Sequence, residues 1–418
     1  MSAEARNGSM SKEGGNKRVK LTGYEWFRSI GSAKKIVAPM VDQSDLAYRL
    51  LCRRHGADLA YTQMLNCPIF LNNPQYRFDN IGPQNQNERP LTVQIAGHDP
   101  QAMLKVGLAV QDECDAVDVN LGCPQGIARR GRYGAYLMEE LELLHEIVST
   151  LAQGLSVPVT CKTRIYHGED GFERSIRLCE TLVNAGASLL TIHGRTREEK
   201  GEWTGAADWE MIRRIKEHFG DRVPIIANGG ISDMDDVTKC LEYTKCDGVM
   251  SSEAILENPA IFSRSLAPDG TLLTQIMLAR EYLDLAEIHP TRNPKIVRSH
   301  INKMLHRYLA QFTDLRDKFQ VTYELKDFRK IVDDVEERLA ALPPDEVAAF
   351  DTKERTWYGR HLQATHSCSG RVMGMERKIM MDKRFKEQAE KDWKLFEEDG
   401  EEEDENWGGI FSGLGMAL

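Results

Sequence analysis

The sequence predicts a (β/α)8 barrel over residues 31–268, followed by a small all-helical domain over 269–345 and flexible tails. Three observations carry this. Short apolar runs rich in β-branched residues recur eight times, each ending in glycine or polar residues. Segments with apolar residues at helical spacing lie between them, and polar side chains gather at the C-terminal ends of the runs. Parallel strands covered on both faces read as near-continuous Val/Ile/Leu stretches, and eight of them alternating with helices close into a barrel.

Taken in order, residues 1–30 are expected to form a disordered tail, because 1–20 are polar and glycine-bearing. The strand candidates are KIVAPM (35–40), ADLAYTQM (57–64), LTVQIAG (91–97), AVDVNLGC (116–123), VPVTCKTRI (157–165), LLTIHGR (189–195), VPIIANGG (223–230) and DGVMSS (247–252). Helical periodicity covers 46–54, 100–111, 139–151, 173–185, 209–219 and 234–243. A doubly wound sheet is the alternative fold, but it usually brings a Gly-x-Gly-x-x-Gly turn after its first strand, where this chain has Pro39-Met40-Val41.

Beyond Asn258-Pro259 the strand signal stops and three helices are predicted, over 273–288, 294–312 and 323–342. The second carries Lys295, Arg298, His300, Lys303, His306 and Arg307, with Arg292 just before it and no acidic residue from 291 to 312. A solvated helix face is the ordinary reading of such charges, but a face of one sign suits phosphates. After Pro343-Pro344 comes a C-terminal extension, 346–418, with a charged helical stretch near 377–396 and a run of eight acidic residues between Glu397 and Glu405.

Composition narrows the function classes. With 41% hydrophobic and 28% charged residues the chain reads as an ordinary globular protein. Nine cysteines without a C-x-x-C pair suggest neither a disulfide framework nor a zinc ribbon, so a reducing compartment and no metal are expected. The net charge of −10 comes mostly from the acidic run, so local basic faces decide what the body binds. No apolar run approaches membrane-spanning length. Lys17-Arg18-Val19-Lys20-Leu21 has the composition of a nuclear import signal, although a solvated tail explains it as well. Cytoplasm and/or nucleus is the expected location, and the chain is expected to act as a monomer.

A barrel should present its chemistry at the strand C-termini. Pro39-Met40, Gln63, Gln94, Asn120, Lys162, Arg164, His193, Arg195 and Asn228-Gly229-Gly230 all fall there. Cys123 lies where the fourth strand breaks at Gly122-Cys123-Pro124, and flanking Gly, Pro and Arg argue against an inert core thiol. It could serve as a nucleophile or as a proton donor, and nearby Arg129, Arg130 and Arg132 offer charge rather than a base. Lys162 reads as a Schiff-base amine, a fixed cation beside an anionic cofactor, or a structural ion-pair partner. Arg164 shares its strand face, because strand side chains alternate with period two. Two cations on one wall suit a flavin, whose reduced ring is negative near N1, better than a Schiff base, which needs a neutral amine. Asn228-Gly229-Gly230 leads from a strand into a helix and, with Ser251-Ser252 after the eighth strand, forms the kind of backbone cradle that holds phosphate in barrels.

These residues together resemble the dihydrouridine synthases, FMN-dependent tRNA-modifying enzymes. The likeness covers roughly residues 35–259 through Ala38-Pro39-Met40, Val93-Gln94, Asn120-x-Gly122-Cys123-Pro124 with Gly131-x-Tyr133-Gly134-Ala135, Lys162-x-Arg164, His193-Gly194-Arg195-Thr196 and Asn228-Gly229-Gly230. The cysteine motif is most similar to the eukaryotic branch that acts at positions 16 and 17.

The resemblance implies FMN at the barrel mouth, with Ala38, Pro39 and Met40 at the ring, Gln94 and Lys162 at its polar edge, His193 nearby, and Asn228, Gly229, Gly230, Ser252 and Glu253 around the phosphate. Many relatives have Gly-Arg where this chain has Ser252-Glu253. It also implies NADPH as reductant, hydride transfer to C6 of a flipped-out uridine, and Cys123 as donor of a proton to C5. Asn120, Arg164 and Arg195 would hold the base, while Arg129, Arg130, Lys295, Arg298, Lys303 and Arg307 would meet tRNA phosphates. The competing readings are an FMN enzyme reducing a free pyrimidine or small enone, and a non-catalytic RNA-binding barrel. The basic helix speaks against the first, and Cys123, Lys162 and His193 against the second.

Overall fold

The computed structural model describes residues 20–350 except 82–87, 201–203, 268, 292 and 349. Nine parallel strands form one sheet: β1 Lys35–Val37, β2 Leu59–Tyr61, β3 Leu65–Asn66, β4 Leu91–Ala96, β5 Ala116–Leu121, β6 Val159–Arg164, β7 Leu190–His193, β8 Ile225–Asn228 and β9 Gly248–Ser251. Their order is β2-β1-β9-β8-β7-β6-β5-β4-β3, and a further pairing of β2 with β4 closes the ring. All eight predicted strands are present. The ninth, β3, is a two-residue piece that continues beyond β2 along β4 and was not foreseen.

Period-two alternation explains the layers. Outward residues such as Val93, Val117, Val119, Cys161, Ile192 and Val249 pack under the surrounding helices in the main core. Inward residues near the strand N-termini are apolar, with Ile36, Leu59, Leu189, Ile226 and Met250 in a second cluster. Higher up the interior turns polar at Thr92, Asp118, Thr160 and Thr191, and the top layer holds Gln94, Asn120, Lys162, His193 and Asn228.

The helix Gly23–Ser29 corrects the expectation of a disordered tail through residue 30. Trp26 and Phe27 are buried and cap the apolar bottom of the barrel, with Trp26 Nε1 donating to the Asp115 carbonyl at 3.1 Å. Residues 1–19, with most of the candidate import signal, lie outside the described residues. Trp26→Ala removes that plug and is expected to cost about 3–5 kcal/mol of unfolding free energy in urea titrations, the usual cost of emptying a buried Trp site.

The segment after the barrel is helical, with Gln275–Ile288, Pro294–Met304, His306–Leu309, Thr313–Gln320 and Leu325–Ala340. The single predicted helix over 294–312 is broken at Leu305, and Thr313–Gln320 was not foreseen. Phe350 packs against Tyr308 and Phe312, while 351–418, with the charged stretch and the acidic run, lie outside the described residues. No helix among the described residues is long and apolar enough to cross a membrane.

The helical segment is anchored to the barrel by polar contacts. His300 is fully buried, stacks on Tyr48 at 4.0 Å and meets Asp45 Oδ1 through Nε2 at 2.7 Å. Lys303 Nζ is buried too, donating to Gln43 Oε1 at 2.8 Å and Ser299 Oγ at 2.7 Å. Gln43 belongs to the loop leaving β1, so the helices reach the rim of the barrel mouth. This corrects the expectation that Lys303 and His300 belong to a phosphate-facing surface: both face inward, toward Gln43 and Asp45 of the barrel, and Ser299 of the same helix also accepts from Lys303.

Candidate active site

Cys123 is half-buried at the end of β5, on a loop whose backbone is tied down by five residues. Asn120 Oδ1 accepts from the N–H groups of Gly122 and Cys123 at 3.1 and 3.0 Å. Arg164 Nε donates to the Gly122 carbonyl at 2.8 Å, and Ala135 N–H to the Cys123 carbonyl at 3.0 Å. Lys200 Nζ and the Tyr136 hydroxyl donate to the Pro124 carbonyl at 2.7 and 3.1 Å. Gly134, at φ +68°, lets the chain pass close by. A Cβ there would lie 2.7 Å from the Cys123 carbonyl oxygen, so the second glycine of the downstream Gly-x-Tyr-Gly-Ala motif is required by packing against the thiol loop.

The electrostatics bear on the protonation state of the thiol. Burial pushes Cys123 above its ordinary range, opposed by the Gln125 backbone N–H and the charges of Arg164, Lys200 and Lys162. The balance favours the protonated thiol. The same three cations would stabilise the thiolate left after proton donation.

Lys162, paired in register with Asn120, is held down to about 8 by burial and by Arg164, against the charge of Asp118. Its ammonium makes no hydrogen bond among the described residues, although a Cβ at Gly122 would lie only 3.9 Å from it. Arg164 is depressed to about 10 by burial and Arg195 and stays charged. Its Nη1 donates to the Thr196 carbonyl at 2.6 Å. His193 is pushed well below the usual imidazole range by burial and by Arg164, Lys162 and Arg195. Arg195 Nη1 lies 3.0 Å from His193 Nε2, and since arginine only donates, the neutral ring carries its proton on Nδ1. The rest of the Arg195 fork donates to the Gly205 carbonyl.

Gly229 and Gly230 have φ of +101° and +76°, and a Cβ on Gly229 would sit 2.9 Å from the Ala207 Cβ. Trp209 Nε1 donates to the Gly229 carbonyl at 2.9 Å and fixes the turn. Asn228 Nδ2 donates to the Met250 carbonyl at 2.9 Å, and Ser252 precedes the short helix Glu253–Glu257 beside it. Across the mouth, Ala38 N–H bonds the Ser251 carbonyl and Met40 N–H donates to Ser44 Oγ at 2.9 Å.

Most predicted site residues therefore converge on one rim, and others do different work from that expected. Gln94 is fully buried and commits Nε2 to Asp118 and Oε1 to Asn120, so it backs Asn120 instead of facing the mouth as expected. Arg129 and Arg130 are exposed at the end of the helix Gly126–Arg130. Lys295 is exposed, Arg298 donates to the Gln320 carbonyl at 2.6 Å, and Arg307 pairs with Glu257 at 3.5 Å. Asp118, Lys200 and Trp209 were missed. Only Asp118 left a signal, a charge at an inward strand position in register with Gln94.

Fold and site define a (β/α)8-barrel protein with a protonated thiol held beside a wall of cations at the strand C-termini. The dihydrouridine synthase (Dus) family profile matches residues 36–353, and the chain belongs to that family. It is 44% identical over 304 residues to a Rattus norvegicus protein described as tRNA-dihydrouridine(16/17) synthase, NAD(P)(+)-like, covering 72% of this chain and 66% of that one. A Mus musculus protein of the same description is also 44% identical over 304 residues, covering 72% and 61%. The Saccharomyces cerevisiae tRNA-dihydrouridine(16/17) synthase is 38% identical over 359 residues, covering 82% and 84%. The match spans less than two thirds of the length of both rodent relatives.

Proposed function

We propose that this chain is an FMN-dependent tRNA-dihydrouridine synthase, which uses NADPH to reduce the C5=C6 bond of uridines 16 and 17 in the tRNA D-loop. The observation that carries the reading is the Cys123 thiol, protonated yet ringed by Arg164, Lys200 and Lys162. Family membership and the descriptions of the relatives support it. The residues present fit FMN: the Lys162 ammonium lacks a hydrogen-bond partner among the described residues, and the Gly229-Gly230 turn is a backbone cradle that side chains would fill.

In this reading Lys162 would hold the polar edge of the ring, with Ala38, Pro39, Met40 and His193 around it and Gln94 supporting it from behind Asn120. Asn228, Gly229, Gly230, Ser252 and Glu253 surround the phosphate, the last through its backbone. When bound, FMN reduced by NADPH supplies hydride to uracil C6. Addition at C6 leaves charge at C5, conjugated to the C4 carbonyl, and Cys123 Sγ–H quenches it. Arg164 and the free Nδ2 hydrogen of Asn120 steady the uracil carbonyls, while Arg195 acts by fixing the His193 tautomer.

Residues 31–268 form the catalytic unit and 269–345 orient tRNA over it, in a monomer working in the cytoplasm and/or nucleus. Arg129, Arg130, Lys295 and Arg298 meet phosphates. Arg307, paired with Glu257, contributes at the margin. Incubating the flavin-loaded protein with NADPH and unmodified tRNA, then mapping dihydrouridine by position, tests the reading. Product at 16 and 17 is expected, and its absence overturns the proposal. Reversing Lys295 and Arg298 to Glu is expected to weaken tRNA binding about tenfold and to lower the salt slope by about 1 per lost phosphate contact, without bleaching the flavin. Salt titrations of tRNA binding check this.

A further inference from the structure

The carboxylate of Asp118 lies beneath the thiol loop, and none of the chemistry above uses it. It is fully buried on β5, in register with Gln94 on β4 and Thr160 on β6. Thr160 Oγ1 donates to its Oδ1 at 2.6 Å and Gln94 Nε2 to its Oδ2 at 2.8 Å. An ionised carboxylate only accepts hydrogen bonds, so Gln94 must turn its amide nitrogen toward Asp118 and its carbonyl away. That carbonyl accepts from Asn120 Nδ2 at 2.7 Å. Asn120 is thereby left with Oδ1 facing the loop, where it accepts from Gly122 and Cys123 N–H. Each amide orientation follows from the one before it. Reversal at any link would set two donors or two acceptors against each other in a buried place.

We propose that Asp118 is a positioning residue: its buried negative charge sets the polarity of a Thr160–Asp118–Gln94–Asn120 relay, and through it the placement of the Cys123 thiol. The inference rests on the proposed activity only for what the thiol then does. Burial pushes the Asp118 carboxyl up to about 6, opposed by the bonds from Thr160 and Gln94 and by the charge of Lys162, so it is mostly ionised at neutral pH. Gln94 accordingly acts on the thiol through Asn120.

The relay makes a signed demand of a double-mutant cycle built from isosteric changes. In Asn120→Asp two carboxylates flank Gln94, which has only one donor end, so one of them faces its carbonyl. Adding Asp118→Asn lets the whole relay reverse: Asn at 118 donates to Gln94 Oε1, and Gln94 Nε2 donates to Asp at 120, which still accepts from both loop N–H groups. Turnover on tRNA is expected to fall about 100-fold in Asn120→Asp and to recover about tenfold in the double variant, the non-additivity expected of one network, the remaining loss being the uracil contact that an acceptor-only carboxylate at 120 no longer makes. The second readout is the rate at which iodoacetamide alkylates Cys123 in the flavin-loaded protein, followed by peptide mass spectrometry. It is expected to change about tenfold in Asn120→Asp and to return to within about threefold in the double variant. If the two effects merely add, so that the double variant is no faster than Asn120→Asp and its alkylation rate is not restored, the relay is overturned. Should the wild-type protein make no dihydrouridine, the proposed activity fails, and the alkylation cycle still decides the relay.

Discussion

Cys123→Ala is expected to lower dihydrouridine formation by about 10²–10⁴-fold, the usual worth of a positioned general acid, while flavin binding and NADPH oxidation stay intact. The half-reactions are expected to separate because, in the proposed reading, the thiol loop lies on the base side of the site. Among the described residues its ties run to Asn120, Arg164, Ala135, Lys200 and Tyr136, on strands and loops other than the Gly229-Gly230 turn. Removing the thiol therefore leaves the cofactor cradle untouched. Stopped-flow reduction by NADPH, followed by single-turnover oxidation with tRNA, checks both halves. Product at the wild-type rate from Cys123→Ala would remove the proton-donor role. The expectation is for a general acid and not for a nucleophile, because burial outweighs the surrounding cations and keeps the group protonated. Iodoacetamide should accordingly react with Cys123 slowly at neutral pH.

The barrel was legible because its strands are short, almost wholly buried runs, most of them rich in β-branched residues, while the polar side chains gather at one end. Helix 209–219 could be read to the residue for a similar reason, with one apolar stripe against a polar remainder. What was missed depends on contacts that cross the chain. Trp26 and Phe27 make too short a signal to stand out from a polar tail, and their partners are inward residues of distant strands. The absence of acidic residues near His300 and Lys303 says nothing about which way those side chains point. The carboxylate that turns His300 inward, Asp45, lies 255 residues away. Gln94 looked like a ligand contact because it stands at a strand end. That it serves Asn120 first depends on the charge of Asp118 one strand over, which a strand-by-strand reading does not see.

Lys162→Met is expected to move activity and stability in opposite directions. Removing a preorganised cation from a developing anion costs on the order of 10²–10³ in rate, so flavin reduction and turnover should fall by that amount, with weaker flavin retention. In the wild-type protein the rate should also decline at high pH, where the ammonium loses its charge, at a pH above the value of about 8 in the flavin-free site because a bound anion favours the charged form, and the variant should lack this limb. Stability follows from the same shift. The ammonium titrates near 10.5 when unfolded and about 8 when folded, so the unfolded chain binds more protons between those values and stability rises with pH across that window. Below pH 8 the full cost of burying the charge is present. Replacing it with a thioether of similar length should therefore stabilise the flavin-free protein at pH 7 by roughly 1–3 kcal/mol in urea titrations. A structural counter-ion to Asp118 would behave in the opposite way, because its loss would leave a buried carboxylate uncompensated. A Lys162→Met variant that is both slower and less stable would identify the lysine as that counter-ion; slower but more stable identifies a cation that the fold holds at a cost for the sake of the ligand.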